Sequence, residues 1–238
     1  MKGIILSGGS GTRLSPLTKV TSKQLLPVYD KPMVFYPLQT LLDGGVKDIL
    51  FIVAPDRAGD YLRLLGSGKE FGASFAYEIQ DKPEGLAQAF IIGENFIDDD
   101  NVAMILGDNI FEDDFSDTIR NFKSGGHIFA KKVHDPERFG QVKFDDNMKA
   151  IEIKEKPAEK ISDYAITGLY IFDKRVVGAA KNQKPSARGE LEITDLQNFY
   201  LEKGELSVDI VNGEWIDAGT FESLFKASEL ARKKSLKK

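Results

Sequence analysis

The segment Leu6-Ser7-Gly8-Gly9-Ser10-Gly11-Thr12-Arg13-Leu14 follows an apolar run, Gly3 to Leu6, and joins three glycines to an arginine. Such a loop turns sharply and can aim several backbone N–H groups at one anion. Arg13 adds a permanently charged planar fork that suits phosphate oxygens. The chemistry implied is phosphate binding, and the spacing excludes two familiar loops. No Gly-Lys-Ser/Thr follows, as a Walker A loop needs, and Gly9-Ser10-Gly11-Thr12-Arg13 runs on to Leu14 where a dinucleotide fingerprint needs a third glycine. Taken alone, the loop could also be a structural turn after a strand.

Asp108 ends a second apolar run, after Gly107, and Asp217 stands in a comparable place in Trp215-Ile216-Asp217-Ala218-Gly219-Thr220. If they converge, two such carboxylates can hold Mg²⁺ together with substrate phosphates and water. Taken singly, each is as readily a turn former or a helix cap, and Thr220 makes capping a competing reading for Asp217. Lys23, Lys156 and Arg188 are scattered among non-basic segments and gain value only by convergence, because lone surface cations contribute little. Gln24 and Gln80 can donate and accept at once, as reading a pyrimidine edge demands. His127 and His134 lack metal-ligand spacing, and no Ser/His/Asp set suggests a hydrolase.

These residues must be positioned by a chain of 238 residues, 42% hydrophobic and 29% charged, which is long enough for a sizeable core. Its net charge of −5 argues against a general affinity for nucleic acid or an anionic membrane, so any bound anion must be held by local cations. The absence of cysteine excludes thiol nucleophiles and thiolate-held metals, and a metal would need oxygen ligands. Met1-Lys2-Gly3 leads into the first strand without a signal-peptide pattern, and no uncharged apolar stretch is long enough to span a bilayer; a cytoplasmic location is expected.

Apolar runs at Gly3–Leu6, Ile49–Ala54 and Val102–Leu106 alternate with helical periodicity at Met33–Leu42, Tyr61–Leu65 and Leu86–Phe96. This predicts an α/β sheet with parallel strands, whose ligands lie beyond the strand C-termini, so that the glycine loop and Asp108 become neighbours. After about residue 125 the pattern turns β-rich, at His127–Val133, Gln141–Phe144, Ala150–Lys154 and Ala165–Phe172. Without a linker between the halves, one continuous domain over 1–238 is expected, with a first half at 1–125, a second at 126–219 and a C-terminal helix at 220–238. That helix ends in Arg232, Lys233, Lys234, Lys237 and Lys238, read as a solvated end that offsets the macrodipole.

Nine motifs stand in order: Gly-Gly-Ser-Gly-Thr-Arg-Leu, Ser-Lys-Gln-Leu-Leu-Pro-Val, Gly-Leu-Ala-Gln-Ala (85–89), Leu-Gly-Asp-Asn (106–109), Asp-Pro-Glu-Arg-Phe-Gly (135–140), Glu-Lys-Pro, Thr-Gly-Leu-Tyr (167–170), Arg-Gly-Glu-Leu-Glu-Ile-Thr-Asp (188–195) and Asp-Ala-Gly-Thr (217–220). With them the chain resembles, from residue 1 to about 230, the glucose-1-phosphate thymidylyltransferase branch of the sugar nucleotidyltransferase family. The resemblance implies a Rossmann-like three-layer α/β fold with a mixed central sheet and a sugar-binding subregion, residues 1–125 forming a mainly nucleotide-binding half and 126–219 a mainly sugar-phosphate-binding half. It also implies Mg²⁺-dependent joining of dTTP and glucose 1-phosphate to give dTDP-glucose and pyrophosphate, the first step of dTDP-rhamnose or deoxysugar synthesis.

By that resemblance Leu6, Gly8, Gly9, Ser10, Gly11, Thr12 and Arg13 would surround the nucleotide and its triphosphate, with Lys23 assisting at the phosphates. Gln24, Gln80 and the Gly85 backbone would read the thymine edge, and Asp108 with Asp217 would hold Mg²⁺. Lys156 and Arg188 would grip the sugar phosphate, while Gly140, Glu155, Ile166 and Tyr170 would line the glucose pocket. The catalytic set is then Arg13, Lys23, Asp108, Lys156, Arg188 and Asp217, and replacing Arg13 or Asp108 is expected to lower turnover far more than stability. A homo-oligomer, dimer or tetramer, is also implied. Longer family members continue into helices that help form a regulatory nucleotide site, so weak or absent feedback by dTDP-rhamnose is expected of this shorter chain. The alternatives are a UTP-dependent or other sugar-1-phosphate transferase and a non-catalytic sugar-nucleotide sensor.

Overall fold

The computed structural model describes residues 1–9 and 11–236, so Ser10, Lys237 and Lys238 lie outside the described residues. The first half runs β1 (Lys2–Ser7), three single 3₁₀ turns, β2 (Pro27–Val28), β3 (Lys31–Pro32), α1 (Phe35–Asp43), β4 (Asp48–Val53), α2 (Ala58–Leu65), β5 (Ser74–Ile79), α3 (Gln88–Ile92), α4 (Glu94–Ile97) and β6 (Val102–Leu106). It continues through β7 (Asn109–Phe111), α5 (Ser116–Asn121), β8 (Gly126–Lys132), β9 (Gly140–Phe144), β10 (Ala150–Glu155), β11 (Tyr164–Phe172), α6 (Arg175–Lys181), α7 (Ile193–Leu201), β12 (Leu206–Ile210), β13 (Trp215–Asp217) and α8 (Phe221–Ser235).

Among the described residues one nine-stranded sheet has the path β10-β9-β11-β6-β1-β4-β5, with β8 pairing β11 and β12 off that path. Strand β1 is parallel to β4 and β6, whereas β11 is antiparallel to β6, which makes the sheet mixed. The continuous apolar runs of β1, β4 and β6 follow from this placement. Ile4, Ile5, Ile49, Leu50, Phe51, Val102 and Ala103 are all buried, and a central parallel strand covered on both faces has no polar side to alternate with. One apolar cluster joins Ile4, Leu50 and Phe90 from the first half to Ile128, Tyr170 and Tyr200 from the second. No helix among the described residues is long and apolar enough to cross a membrane.

The periodicity at Leu86–Phe96 becomes two short helices divided at Gly93, and the β-rich second half also contains α6 and α7, which its apolar pattern did not announce. Thr220 is the N-cap of α8, in a capping box with Ser223, so the capping role falls to Thr220, while Asp217 Oδ1 accepts the Gly219 N–H at 3.1 Å as a turn former does.

Asp173 fastens the start of α6. Its carboxylate accepts from the Gly125 N–H at 2.7 Å, the Tyr200 hydroxyl at 3.0 Å and the Arg175 guanidinium at 2.6 Å. Burial alone would raise its pKa, but the bonds from Arg175 and Gly125 outweigh this and hold it below the usual carboxylate range. A depressed folded-state pKa gives stability that is present above the unfolded value and lost as pH falls through the folded one. Asp173→Asn should therefore lower stability by about 2 kcal/mol at neutral pH, and the gap in Tm to the parent should narrow below about pH 4. A gap that stays constant down to pH 3 in thermal melts would remove this role.

Candidate active site

Strands β1 and β6 end side by side, and the Gly107 N–H donates to the Leu6 carbonyl at 2.9 Å, so the glycine loop and Asp108 leave the sheet as neighbours. A cavity of about 200 Å³ opens there, lined by Leu6, Gly9, Lys23, Gln24, Gln80, Gly85, Leu86, Leu106 and Asp108. Gln80 stands over the loop: its Oε1 occupies the space that a Cβ on Gly8 would fill, 2.0 Å from that position, and this close approach is why the position is glycine. Its amide donates to Gln88 Oε1 at 2.7 Å. Gln24 is buried, and its Oε1 accepts from the Ser22 hydroxyl at 2.6 Å and the Tyr61 hydroxyl at 3.3 Å. Its orientation is therefore fixed by its neighbours.

A second cavity, of about 370 Å³, is lined by Gly140, Glu155, Lys156, Ile166, Tyr170, Trp215, Asp217 and Arg13 among others, and it shares Leu86 and Leu106 with the first. Arg13, on the 3₁₀ turn Thr12–Leu14, thus faces the second cavity, close to Gly219 and Asp217. Gly11 and Thr12 shape that turn and line neither cavity, and Ser10 lies outside the described residues. Leu191 pins the segment that carries Gly85 and Leu86, its N–H donating to the Glu84 carbonyl at 2.7 Å and its carbonyl accepting from the Ala87 N–H at 3.1 Å.

The two acids are brought together by a two-stranded ribbon outside the main sheet. Strand β13 pairs antiparallel with β7, and Asp217 stands opposite Asn109, the residue after Asp108. Lys23 Nζ makes an ion pair with Asp108 in a buried position. Burial opposes both charges, but their mutual attraction prevails, raising the Lys23 pKa and lowering that of Asp108. Among the described residues Asp217 makes no ion pair of this kind. Burial, followed by the charge of Asp108, pushes its carboxyl up to about 6. A half-buried acid that feels the charge of a second acid is a seat that favours an added cation, which is what a divalent ion would supply. Among the described residues no group of three or more His, Cys, Asp or Glu could hold a metal, so these two carboxylates would need oxygens from the substrate to complete a shell.

Around the second cavity, Lys156 lies 3.5 Å from Glu155, and burial raises the Glu155 carboxyl above its ordinary value. Tyr170 is buried, and the loss of water, with the nearby Glu155 charge, raises its phenol far above the ordinary range. Arg188 is placed differently from Lys156. Its guanidinium is held by Glu192 at 2.8 Å, Glu190 at 3.2 Å and Glu155 at 3.4 Å, and it does not line the cavity. It is brought to the site through Glu155.

Sequence reasoning passed over Asn109 and Trp215. Asn109 Oδ1 accepts from the Gly168 N–H at 3.0 Å and Trp215 Nε1 at 2.6 Å, and its amide donates to Asp108 at 3.0 Å. It therefore joins three strands to the acid. Trp215 packs on Phe139 with ring centroids 5.1 Å apart. Asn109 closes the Leu-Gly-Asp-Asn motif and Trp215 opens the segment around Asp217, and that membership was the available signal.

A mixed α/β sheet with a glycine loop beside two adjoining cavities, Asp108 lining one and Asp217 the other, is an arrangement suited to phosphorylated ligands. The nucleotidyl transferase family model matches residues 2–234, and the chain belongs to that family. The glucose-1-phosphate thymidylyltransferase of Neisseria meningitidis is 54% identical over 238 residues, with 98% of this chain and 83% of the relative covered. That of Mycolicibacterium smegmatis is 51% identical, with 98% and 82% covered. A 2.76 Å crystal structure from Bacillus anthracis, assigned to the same activity and containing sucrose, superposes with a TM-score of 0.92 at 48% identity, covering 98% of this chain and 95% of the other. UDP-glucose pyrophosphorylase with UDP-glucose, at TM-score 0.85 and 22% identity, supports the fold alone.

Proposed function

We propose that the chain joins dTTP to α-D-glucose 1-phosphate, giving dTDP-glucose and pyrophosphate. The observation that carries this reading is the pair of cavities meeting at Leu86 and Leu106, with Asp108 lining one and Asp217 the other, which suits two phosphorylated substrates brought end to end. The relatives named above supply the identities of the two substrates.

The sugar-phosphate oxygen is already anionic, so it needs no general base. It needs alignment with the α-phosphorus and relief of charge repulsion. A new oxygen–phosphorus bond forms at the α-phosphorus, the bond to the β-phosphate bridge breaks, and pyrophosphate leaves with the electron pair. Lys156 at the second cavity and Lys23 at the first carry positive charge to the two sides of that centre, and Arg13 reaches it from the loop. Arg188 orders Glu155, whose carboxylate can accept from sugar hydroxyls. Gln24 and Gln80 present fixed amides to the base. Asp108 and Asp217 would hold Mg²⁺, which when bound supplies further charge neutralisation at the phosphates.

One methyl separates thymine from uracil, and a pocket gains only about 1 kcal/mol from it. Pyrophosphate release measured with dTTP, UTP and CTP, each with glucose 1-phosphate, galactose 1-phosphate or no sugar, tests the reading. The highest kcat/KM is expected for dTTP with glucose 1-phosphate. A higher value for UTP would give the chain to the neighbouring transferase class, and tight dTDP-glucose binding without turnover would make it a sensor.

A further inference from the structure

Residues Val211 to Glu214 carry the chain from β12, in the main sheet, to β13, in the ribbon that holds Trp215 and Asp217. No ladder shapes this connection, yet all of its backbone polar groups have partners, drawn from two short segments. The Val211 N–H donates to the Ala130 carbonyl at 2.8 Å. Asn212 and Gly213 donate to the Asp113 carboxylate at 2.8 and 2.5 Å, and Glu214 donates to Glu112 Oε2 at 3.2 Å. On the opposite side the Lys131 ammonium donates to the carbonyls of Val211, Asn212 and Gly213 at 3.2, 2.9 and 2.8 Å. The Glu214 carbonyl accepts from the Glu112 N–H at 2.8 Å.

We infer that Lys131 and Asp113 are positioning residues, a two-sided clamp that sets the register of β13 on β7 and so places Trp215 and Asp217 in the second cavity. The ammonium uses all three of its donors on carbonyls, and the carboxylate uses both oxygens on adjacent N–H groups. A Cβ at Gly213 would lie 2.1 Å from Asp113 Oδ1, so this glycine admits the carboxylate. Strand β13 is three residues long, and a slip of one residue would turn Trp215 and Asp217 to the opposite face. One bond beyond the strand, from the Ala218 N–H to the Asp108 carbonyl at 2.9 Å, also holds the ribbon, and the clamp on the connection secures its other end. Asn212 and Glu214 are exposed, so water can replace the lost partners in a variant, and the main sheet does not depend on them.

The clamp predicts an asymmetric defect. The first cavity is lined entirely by residues up to Glu190, whereas the second includes Trp215 and Asp217. Lys131→Met and Asp113→Asn, made in the full chain, should raise the KM for glucose 1-phosphate about fivefold, leave that for dTTP within about twofold and lower kcat about tenfold. Trp215 is the only tryptophan, and its indole is bonded to Asn109, so its emission should shift to the red and acrylamide quenching should rise in both variants. Gly213→Ala, which displaces Asp113 without touching it chemically, should reproduce the pattern. Unchanged emission with parental KM values would overturn the clamp, as would equal rises in both KM values in step with a fall in Tm. The kinetic arm rests on the proposed substrates, whereas the emission of the unliganded protein does not. A parent without turnover but with red-shifted variants would therefore retain the clamp and discard the substrate assignment.

Discussion

Arg13→Ala should turn over its substrates ~10²–10³ times more slowly than the parent, with Tm unchanged within about 2 °C. The side chain is exposed and makes no hydrogen bond or ion pair among the described residues, so the fold loses little without it. What disappears is a cation beside Gly219 and Asp217, at the edge of the second cavity, where the proposed reaction would develop charge on the phosphates. Arg13→Lys keeps the charge but not the planar fork, and should recover only part of the rate. Steady-state kcat at saturating substrates, measured beside thermal unfolding, decides the matter: a fall in Tm that tracks the lost activity would remove Arg13 from the reaction.

Lys23→Met carries the second large effect, and here stability and activity should fall together. The substitution leaves Asp108 and Asp217 facing each other in a buried setting without their ammonium. Breaking a buried pair in this way costs about 3–5 kcal/mol, which in a chain of this length is roughly 10 °C in Tm. Turnover should fall at least about a hundredfold. Added Mg²⁺ should then raise the Tm of the variant more than that of the parent, because the ion replaces the missing positive charge between the acids. Equal responses in the two proteins would count against the acid pair as a cation seat. Asp108→Asn should be milder in stability, since Lys23 keeps Asp217 as a neighbour of opposite charge.

The strands that position the site could be read in advance because β1, β4 and β6 are covered on both faces and therefore consist almost wholly of apolar residues. Helices α6 and α7 escaped for the opposite reason. The buried side of α7 includes Thr194 and Gln197 beside Ile193 and Leu196, which breaks the apolar period, and α6 is only seven residues long. At the site, residue types near the chain's turns announced phosphate and metal chemistry, and most of the residues named from them line one of the two cavities. Which cavity a residue serves is a question of long-range pairing that no local pattern encodes. Arg13 lies in the glycine loop yet faces the second cavity, and Arg188 is drawn off by Glu192, which precedes α7. The hub at Asn109 likewise depends on partners 59 and 106 residues away.

That separation also orders events during synthesis. The ribbon of β7 and β13 cannot be completed until β13, the last strand among the described residues, has been synthesised. A nascent polypeptide that has emerged only as far as β12 already contains every residue lining the first cavity, but neither Trp215 nor Asp217. The residues of the first cavity are thus all made before the second acid, and the last of these strands to be synthesised is the one that completes the pair.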